Sequence, residues 1–219
     1  MCKKQLTSEL LQAEAKYFSS LESSCKEPKI YGITDGKAIG TYLEHKFQKY
    51  LHTKYNYIEG SSANGLDFPE LMVDMKVTSI KQPQSSCPFK SGMQKIFGLG
   101  YSILVFVYDK TDDHLDKTGT LDIKHAIFIE AARTADFQMT TGLHQIIKNN
   151  GNKDDIIAFF YDRFLPIDDI TANQIAENLL QAGNINIGYL TISNALQWRL
   201  QYQRVINEAG NIPGINRVF

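Results

Sequence analysis

Residues 65–76 decide the fold of this chain, and they read Gly-Leu-Asp-Phe-Pro-Glu-Leu-Met-Val-Asp-Met-Lys. Asp67, Asp74 and Lys76 stand in or beside apolar, strand-like sequence, where an ionised side chain loses several kcal/mol of hydration unless something compensates it. Side chains alternate between the faces of a strand, so Asp74 and Lys76 point the same way while their apolar neighbours point into a core. A turn at Pro69 folds the chain back and brings Asp67 alongside Asp74.

Two carboxylates and one ammonium are therefore predicted to converge on one small volume. Such a group can hold Mg²⁺ through oxygen ligands and place a cation beside a water or a phosphate. An Asp-x-Lys tripeptide on a strand is most often only a solvated edge. The spacing Asp67-x6-Asp74-x-Lys76, together with the apolar run through the second strand, favours a functional site.

A helix is predicted upstream, between Asp35 and Leu51. Apolar residues recur there at helical spacing, and Asp35 is placed as the N-cap. Glu44 lies next to the apolar stripe and is followed by a basic face that carries Lys46 and Lys49. Taken alone, Glu44 would be interpreted as a surface residue.

Together these segments resemble the PD-(D/E)xK nuclease superfamily, in the branch that contains the mismatch-repair endonuclease MutH and related restriction enzymes. Three motifs carry the resemblance: Gly-Lys-x-Ile-Gly-x-x-Leu-Glu at 36–44, Asp-Phe-Pro-Glu-Leu at 67–71 and Val-Asp-Met-Lys-Val-Thr at 73–78. The resemblance is strong over residues 36–79 and extends loosely to about residue 108.

The resemblance implies a restriction-endonuclease-like fold, a mixed central β-sheet flanked by helices. It also implies a catalytic set of Glu44, Asp67, Asp74 and Lys76. One or two Mg²⁺ ions would be held by Asp67, Asp74 and the backbone carbonyl of Met75, with Glu44 as a candidate ligand of a second ion. Lys76 would position the attacking water. The chain has Asp74 where the closest relatives carry Glu, which shortens the reach of the ligand but keeps its chemistry.

The segment 80–90 leaves the active-site strand directly and is predicted to emerge at a DNA cleft. Gln side chains can pair with adenine, and Ser with base edges or phosphates. The alternative for this segment is a polar turn ordered by Pro83 and Pro88. Lys95, further along the chain, could contact a phosphate, and the alternative is that it is a plain surface lysine. The predicted DNA-binding residues are Lys81, Gln82, Gln84, Ser85, Ser86, Lys90 and Lys95.

We expect a single α/β domain over residues 1–219, with a catalytic core at about 35–130 and a mainly helical part at about 131–219. Strands are predicted at 101–108 and 123–130, with a polar loop at 109–120 between them. Helices are predicted at 6–23, 131–149, 154–164, 171–183 with Thr171 as N-cap, and 195–209.

The composition is that of a globular protein, with 43% hydrophobic residues and a formal net charge of −1. There is no apolar run long enough to span a membrane and no signal-peptide pattern at the N-terminus. The three cysteines are too few and too scattered for a disulfide framework or a zinc site, and the five histidines are interpreted as incidental. We therefore expect a soluble cytoplasmic protein without an organic cofactor.

These observations predict a type II restriction endonuclease that hydrolyses double-stranded DNA with Mg²⁺ and acts as a homodimer. The alternative is a MutH-like repair nickase, or a DNA-binding module that needs a partner for activity.

Overall fold

The computed structural model describes residues 3–60, 65–86, 91–193 and 199–219. These residues fall into two compact units. Unit 1 contains residues 1–85, 102–129 and 205–219, and unit 2 contains residues 86–101 and 130–204. The predicted α/β class is confirmed, while the organisation as one domain stays a prediction.

Seven helices form in the described part of the chain, and they differ widely in length. Their bounds are α1 Ser8–Glu22, α2 Gly36–Lys54, α3 Met93–Phe97, α4 Phe137–Lys148, α5 Lys153–Asp162, α6 Asp169–Ala182 and α7 Gln203–Glu208. Among the described helices none is both long and apolar enough to cross a membrane.

The strands range from two-residue pairs to a long hairpin. Their bounds are β1 Lys4–Gln5, β2 Lys26–Glu27, β3 Tyr55–Asn56, β4 Val73–Ser79, β5 Gln84–Ser86, β6 Ser102–Asp113, β7 Thr118–Ile129, β8 Thr191–Ile192, β9 Arg199–Gln201 and β10 Ile215–Arg217.

The main sheet of unit 1 is mixed, as predicted. Its strand order is β10-β7-β6-β4, with β2 also paired to β7. Strand β4 runs parallel to β6, and the β6–β7 and β7–β10 pairs are antiparallel. Residues 103–107 of β6 have no exposed surface, which confirms the central strand expected from this apolar run. Strand β4 therefore lies at an edge of this sheet.

An aromatic cluster holds α2 in the core of unit 1. The ring of Phe47 lies 4.9 Å from that of Phe18 and 5.1 Å from that of Phe106, at tilted and edge-on angles that aromatic pairs favour. Asp35 caps α2 by accepting the N–H groups of Lys37 and Ala38, as predicted. These contacts hold α2 at its start and along its apolar face, and they fix where Glu44 lies relative to the core.

Unit 2 has a separate apolar core, built mainly by helices α4, α5 and α6. Met139 and Leu143 of α4 pack with Phe160 of α5 and with Ile175 of α6, all of them buried. Strands β8 and β9 pair with one another in antiparallel fashion. The prediction of a mainly helical region after residue 130 is confirmed within this unit.

The predicted polar loop at 109–120 is wrong, because β6 and β7 continue as a hairpin to residues 113 and 118. The extension is supported by a distant segment: Lys26 and Glu27 of β2 pair with Thr120 and Gly119. A polar local sequence can therefore be held in a ladder by strands that are remote along the chain.

Two predicted helix boundaries are also wrong. Asp168, not Thr171, caps α6: its Oδ1 accepts the Thr171 N–H at 2.8 Å. The predicted helix at 195–209 is reduced to α7, since the chain forms β9 at 199–201; residues 194–198 lie outside the described part. The expected end of α6 at Gly183 is confirmed by its left-handed conformation.

Candidate active site

The turn before β4 is held by short-range backbone hydrogen bonds. Residues 69–71 form a single 3-10 turn, and Phe68 pairs with Val73 through N–H to carbonyl contacts of 3.0 and 3.2 Å. Met72 closes the turn at φ +53°, a left-handed conformation that is uncommon outside glycine. The predicted fold-back is confirmed, and it places residue 67 beside the following strand.

Asp67 is tied to the backbone of β4. Its Oδ2 accepts the N–H of Met75 at 2.7 Å, while the Met75 side chain is buried in the core. In a β-strand the N–H and the carbonyl of one residue point to the same side. The Met75 carbonyl therefore points out of the same sheet edge as its N–H, toward the region that contains the Asp67 carboxylate.

Asp74 is an almost fully buried carboxylate, with 4% of its surface exposed. Lys76 Nζ lies 2.6 Å from its Oδ2, so the two side chains share one face of β4 as predicted. Burial raises the pKa of Asp74 to about 7, and the adjacent Asp67 carboxyl adds to the rise, although the Lys76 ammonium opposes it. Lys76 therefore compensates the negative charge of the Asp74 carboxylate only in part.

Glu44 approaches the same region from α2. Burial raises its pKa, the Asp67 carboxylate adds to the rise, and Lys76 opposes it. Glu44, Asp67, Asp74 and Lys76 together line a cleft of about 320 Å³ in unit 1. The structure thus brings the four predicted catalytic side chains together around one cavity.

Sequence analysis missed several residues that also line this cleft. Gln48 lies one helical turn after Glu44, so its spacing of four was a usable signal. His45, taken as incidental, lies at the cleft and is exposed. Glu59 and Gly60 reach it because Gly60 lies directly against Leu66, where an added Cβ would be 1.6 Å from the Leu66 carbonyl oxygen. Contact of this kind cannot be read from local sequence.

The donor set fits a hard cation such as Mg²⁺, which binds oxygen and is commonly held by one or two carboxylates plus waters and substrate phosphates. Asp74 Oδ2 is buried, and Lys76 Nζ, 2.6 Å away, is its ion-pair partner. No group of three acidic, histidine or cysteine side chains in the described residues is arranged to enclose a metal. The arrangement therefore suits an open site completed by substrate, rather than a closed protein cage.

The segment after β4 is anchored by the buried side chain of Thr78. Its hydroxyl donates to the carbonyls of Gln82 and Gln84, at 3.2 and 3.0 Å, and accepts the Gln84 N–H at 3.0 Å. Gln82 is exposed and Gln84 is half-buried. The segment thus forms a turn, the alternative given above, which is held by Thr78 of β4 and presents at least the Gln82 side chain to solvent.

The predicted DNA-binding lysines differ in their surroundings. Lys81 is largely exposed, with its Nζ 3.7 Å from an oxygen of Asp109. Lys95 is buried in α3 with 3% of its surface exposed, so its interpretation as a surface lysine is wrong. Lys90 lies outside the described residues. Of the two serines, Ser85 is half-buried and Ser86 exposed. Their roles at DNA stay predictions.

Comparison with known proteins gives one family. The profile of a family described as "Type II restriction enzyme NspV" matches residues 5–217. The chain is also 59% identical, over 214 residues, to a protein named type II restriction enzyme NspV from Nostoc sp. (strain ATCC 29411 / PCC 7524), covering 98% of this chain and 97% of that protein. No solved structure matches the chain.

Proposed function

Because this chain belongs to the NspV family of type II restriction enzymes and is therefore a site-specific endonuclease, we propose that it hydrolyses double-stranded DNA at the cleft of unit 1. The observation that carries this proposal is the convergence of Glu44, Asp67, Asp74 and Lys76 around one cavity. The same residues support its place in the PD-(D/E)xK superfamily.

Asp67, Asp74 and the Met75 carbonyl would hold Mg²⁺ at this site. When bound, the ion polarises the phosphate and lowers the pKa of a bound water. The protein contributes a prebuilt ligand pair, since Asp67 is already fixed to the Met75 N–H and Asp74 is already buried. The repulsion between these two close carboxylates is overcome when the protein folds, before DNA binds.

Lys76 has the position to act on the attacking water. Its ammonium lies against Asp74 and is itself only partly exposed, so it carries a fixed positive charge at the wall of the cleft. From there it would orient the water and offset negative charge that grows on the phosphate. Glu44, opposite on α2, would orient a second water or contribute to a second ion.

Both strands of a duplex need one such set of residues. A homodimer on a palindromic site would supply two sets related by two-fold symmetry, which is the commonest arrangement of soluble oligomers. Each copy would then cut one strand.

Digestion of plasmid DNA with Mg²⁺ tests the proposal. We expect discrete linear fragments whose ends map to one recurring sequence. Nicked circles alone would indicate a repair nickase, and intact DNA that is nevertheless bound would indicate a binding module. Either result would contradict a restriction endonuclease of this mechanism.

A further inference from the structure

Two aromatic rings of unit 2 pack against one another, and an arginine lies over each of them. The guanidinium of Arg204 lies 3.7 Å from the centre of the Phe137 ring. Phe137 packs at 5.6 Å against Tyr189, and the Arg133 guanidinium lies 5.8 Å from the Tyr189 ring. All four side chains are half-buried. We call these four residues the arginine–aromatic stack.

The backbone beneath the stack is rigid. The Phe137 N–H donates to the Leu190 carbonyl at 2.8 Å, and the Tyr189 N–H donates to the Arg133 carbonyl at 2.9 Å. Gly188 allows this approach, since an added Cβ there would lie 2.1 Å from the Ala135 carbonyl oxygen. The two rings are therefore held by main-chain pairing, which presents them in one fixed orientation.

Asp136 fixes the same point with a buried carboxylate. Its Oδ1 caps α4 at the Met139 N–H, and its Oδ2 accepts the Ile192 N–H, both at 2.8 Å. Both oxygens of this acid are thus used by the backbone. The Asp136 carboxylate therefore serves to hold the backbone in place.

The two arginines differ in what holds them. Arg133 donates to the Ile187 carbonyl at 3.1 Å. Arg204 forms no ion pair or hydrogen bond with the described residues, and its Nε–H is buried without an acceptor. Leaving the half-buried Arg204 guanidinium without an anion costs free energy, because the charge loses part of its hydration. Held against the Phe137 ring, the guanidinium is already oriented to donate two parallel hydrogen bonds to an anion.

We infer that the arginine–aromatic stack is a DNA-backbone contact of this enzyme, in which Arg204 donates to a phosphate. The inference rests on the proposed function, because it takes the substrate to be duplex DNA. Arginine planes stacked on aromatic rings are pre-organised for bidentate contact with phosphate oxygens, and less side-chain entropy is lost on binding. Arg133 adds positive charge on the same surface.

The test compares Arg204→Gln with Arg163→Gln. Gln keeps a polar, though shorter, side chain and removes the charge and the fork. Arg163 is a matched control, since it is an exposed arginine of the same unit whose guanidinium also lies over a ring, 5.2 Å from that of Phe159. Binding is measured in Ca²⁺ buffer with one duplex that the wild-type enzyme cuts in Mg²⁺ and one that it leaves intact, over a range of salt.

We expect Arg204→Gln to bind both duplexes about tenfold more weakly than wild type, the usual size for loss of a charged hydrogen bond. Its salt slope should fall by about 1, as for one lost phosphate contact. In cleavage, KM should rise while kcat is retained. Arg163→Gln should match wild type in all three measurements.

Unchanged binding by Arg204→Gln with a lowered melting temperature would make the stack a structural feature only and would overturn the inference. A loss confined to the cut duplex would also overturn it, because base reading would then replace phosphate contact. Failure of the wild-type enzyme to cut any duplex in Mg²⁺ would instead overturn the proposed function. The wild-type measurement therefore distinguishes the two failures.

Discussion

Lys76 Nζ lies 2.6 Å from the buried Oδ2 of Asp74 and forms an ion pair with it. The ammonium is thus the close neighbour of a carboxylate that burial and Asp67 both push toward its neutral form. Such a pair is poorly suited to stabilise a fold, because removing two charges from water costs about as much as their attraction returns. Its position at the cleft favours a catalytic explanation.

Asp74→Asn should abolish cleavage and stabilise the protein. The amide is similar in size but is a poor Mg²⁺ ligand, so we expect cleavage to fall below detection. Because the neutral side chain avoids the burial cost of a charge, the free energy of unfolding in EDTA at pH 8 should rise by about 1–3 kcal/mol. Urea denaturation and plasmid cleavage measure the two effects. The control is Asp122→Asn, which replaces the partner of Lys124 on β7 and should change neither cleavage nor stability. Full cleavage by Asp74→Asn would show that Asp74 is not part of the site.

Glu44→Gln should reduce cleavage less than Asp74→Asn. Glu44 faces the cleft from α2 and has a raised pKa, but among the described residues no hydrogen bond ties it to β4 as Asp67 is tied. We expect a fall in kcat of about ten- to a hundredfold, which is at or below the low end of the ~10²–10⁴-fold contribution of a positioned proton-transfer group. Glu177→Gln, the same change at an exposed ion pair of unit 2, serves as control and should stay near wild type. A loss in Glu44→Gln as complete as that of Asp74→Asn would make Glu44 an essential ligand.

The cluster around Lys46 predicts opposite pH effects for two glutamates. Lys46 Nζ lies 2.8 Å from Glu22 Oε2 and 2.5 Å from Glu27 Oε1. Burial raises the pKa of Glu22, so the stability that its carboxyl contributes is present below its unfolded pKa and is lost as pH rises through its folded pKa. The Lys46 hydrogen bond lowers the pKa of Glu27, so its contribution is present above the unfolded pKa and is lost as pH falls.

Urea unfolding of Glu22→Gln and Glu27→Gln from about pH 4 to pH 8 checks this. Relative to wild type, Glu22→Gln should become more stable as pH rises, while Glu27→Gln should become less stable. Parallel pH dependence of the two variants would contradict the assigned burial of Glu22.

The segment anchored by Thr78 predicts separate effects on specificity and on affinity. If it enters a groove, Gln82→Ala or Gln84→Ala should cost about 1–3 kcal/mol at one base position, the size of a bidentate base contact. Lys81→Ala should weaken binding to all sequences and reduce its salt dependence. Cleavage of every single-base variant of the site measures both effects. An unchanged preference in both Gln variants would move base recognition to another part of the chain.

The fold around the site could be predicted because its signals are local. Alternating polar and apolar residues after Pro69 define β4, and Asp35 with the apolar stripe that follows it defines α2. The cleft residue Gln48 was also available from helical spacing. For α6, Asp168 was an equally local signal and a stronger capping residue than Thr171.

The remainder depends on which segments pair or touch. The polar end of the β6–β7 hairpin continues as strand because β6 and β7 pair there, and β2 pairs with the same end. Glu59 reaches the cleft because of the close backbone approach at Gly60. Residues around Arg199 are strand because they pair with β8. Single-sequence periodicity does not detect which segments of the chain pair or touch.

The most direct test of a carboxylate-held Mg²⁺ is to measure cleavage and binding of one DNA fragment in Mg²⁺, Ca²⁺ and EDTA. Ca²⁺ accepts the same oxygen ligands, but its larger and looser coordination positions an attacking water poorly. We predict rapid cleavage in Mg²⁺, tight binding without appreciable cleavage in Ca²⁺, and no cleavage in EDTA. Comparable cleavage rates in Mg²⁺ and Ca²⁺, or cleavage in EDTA, would contradict the account.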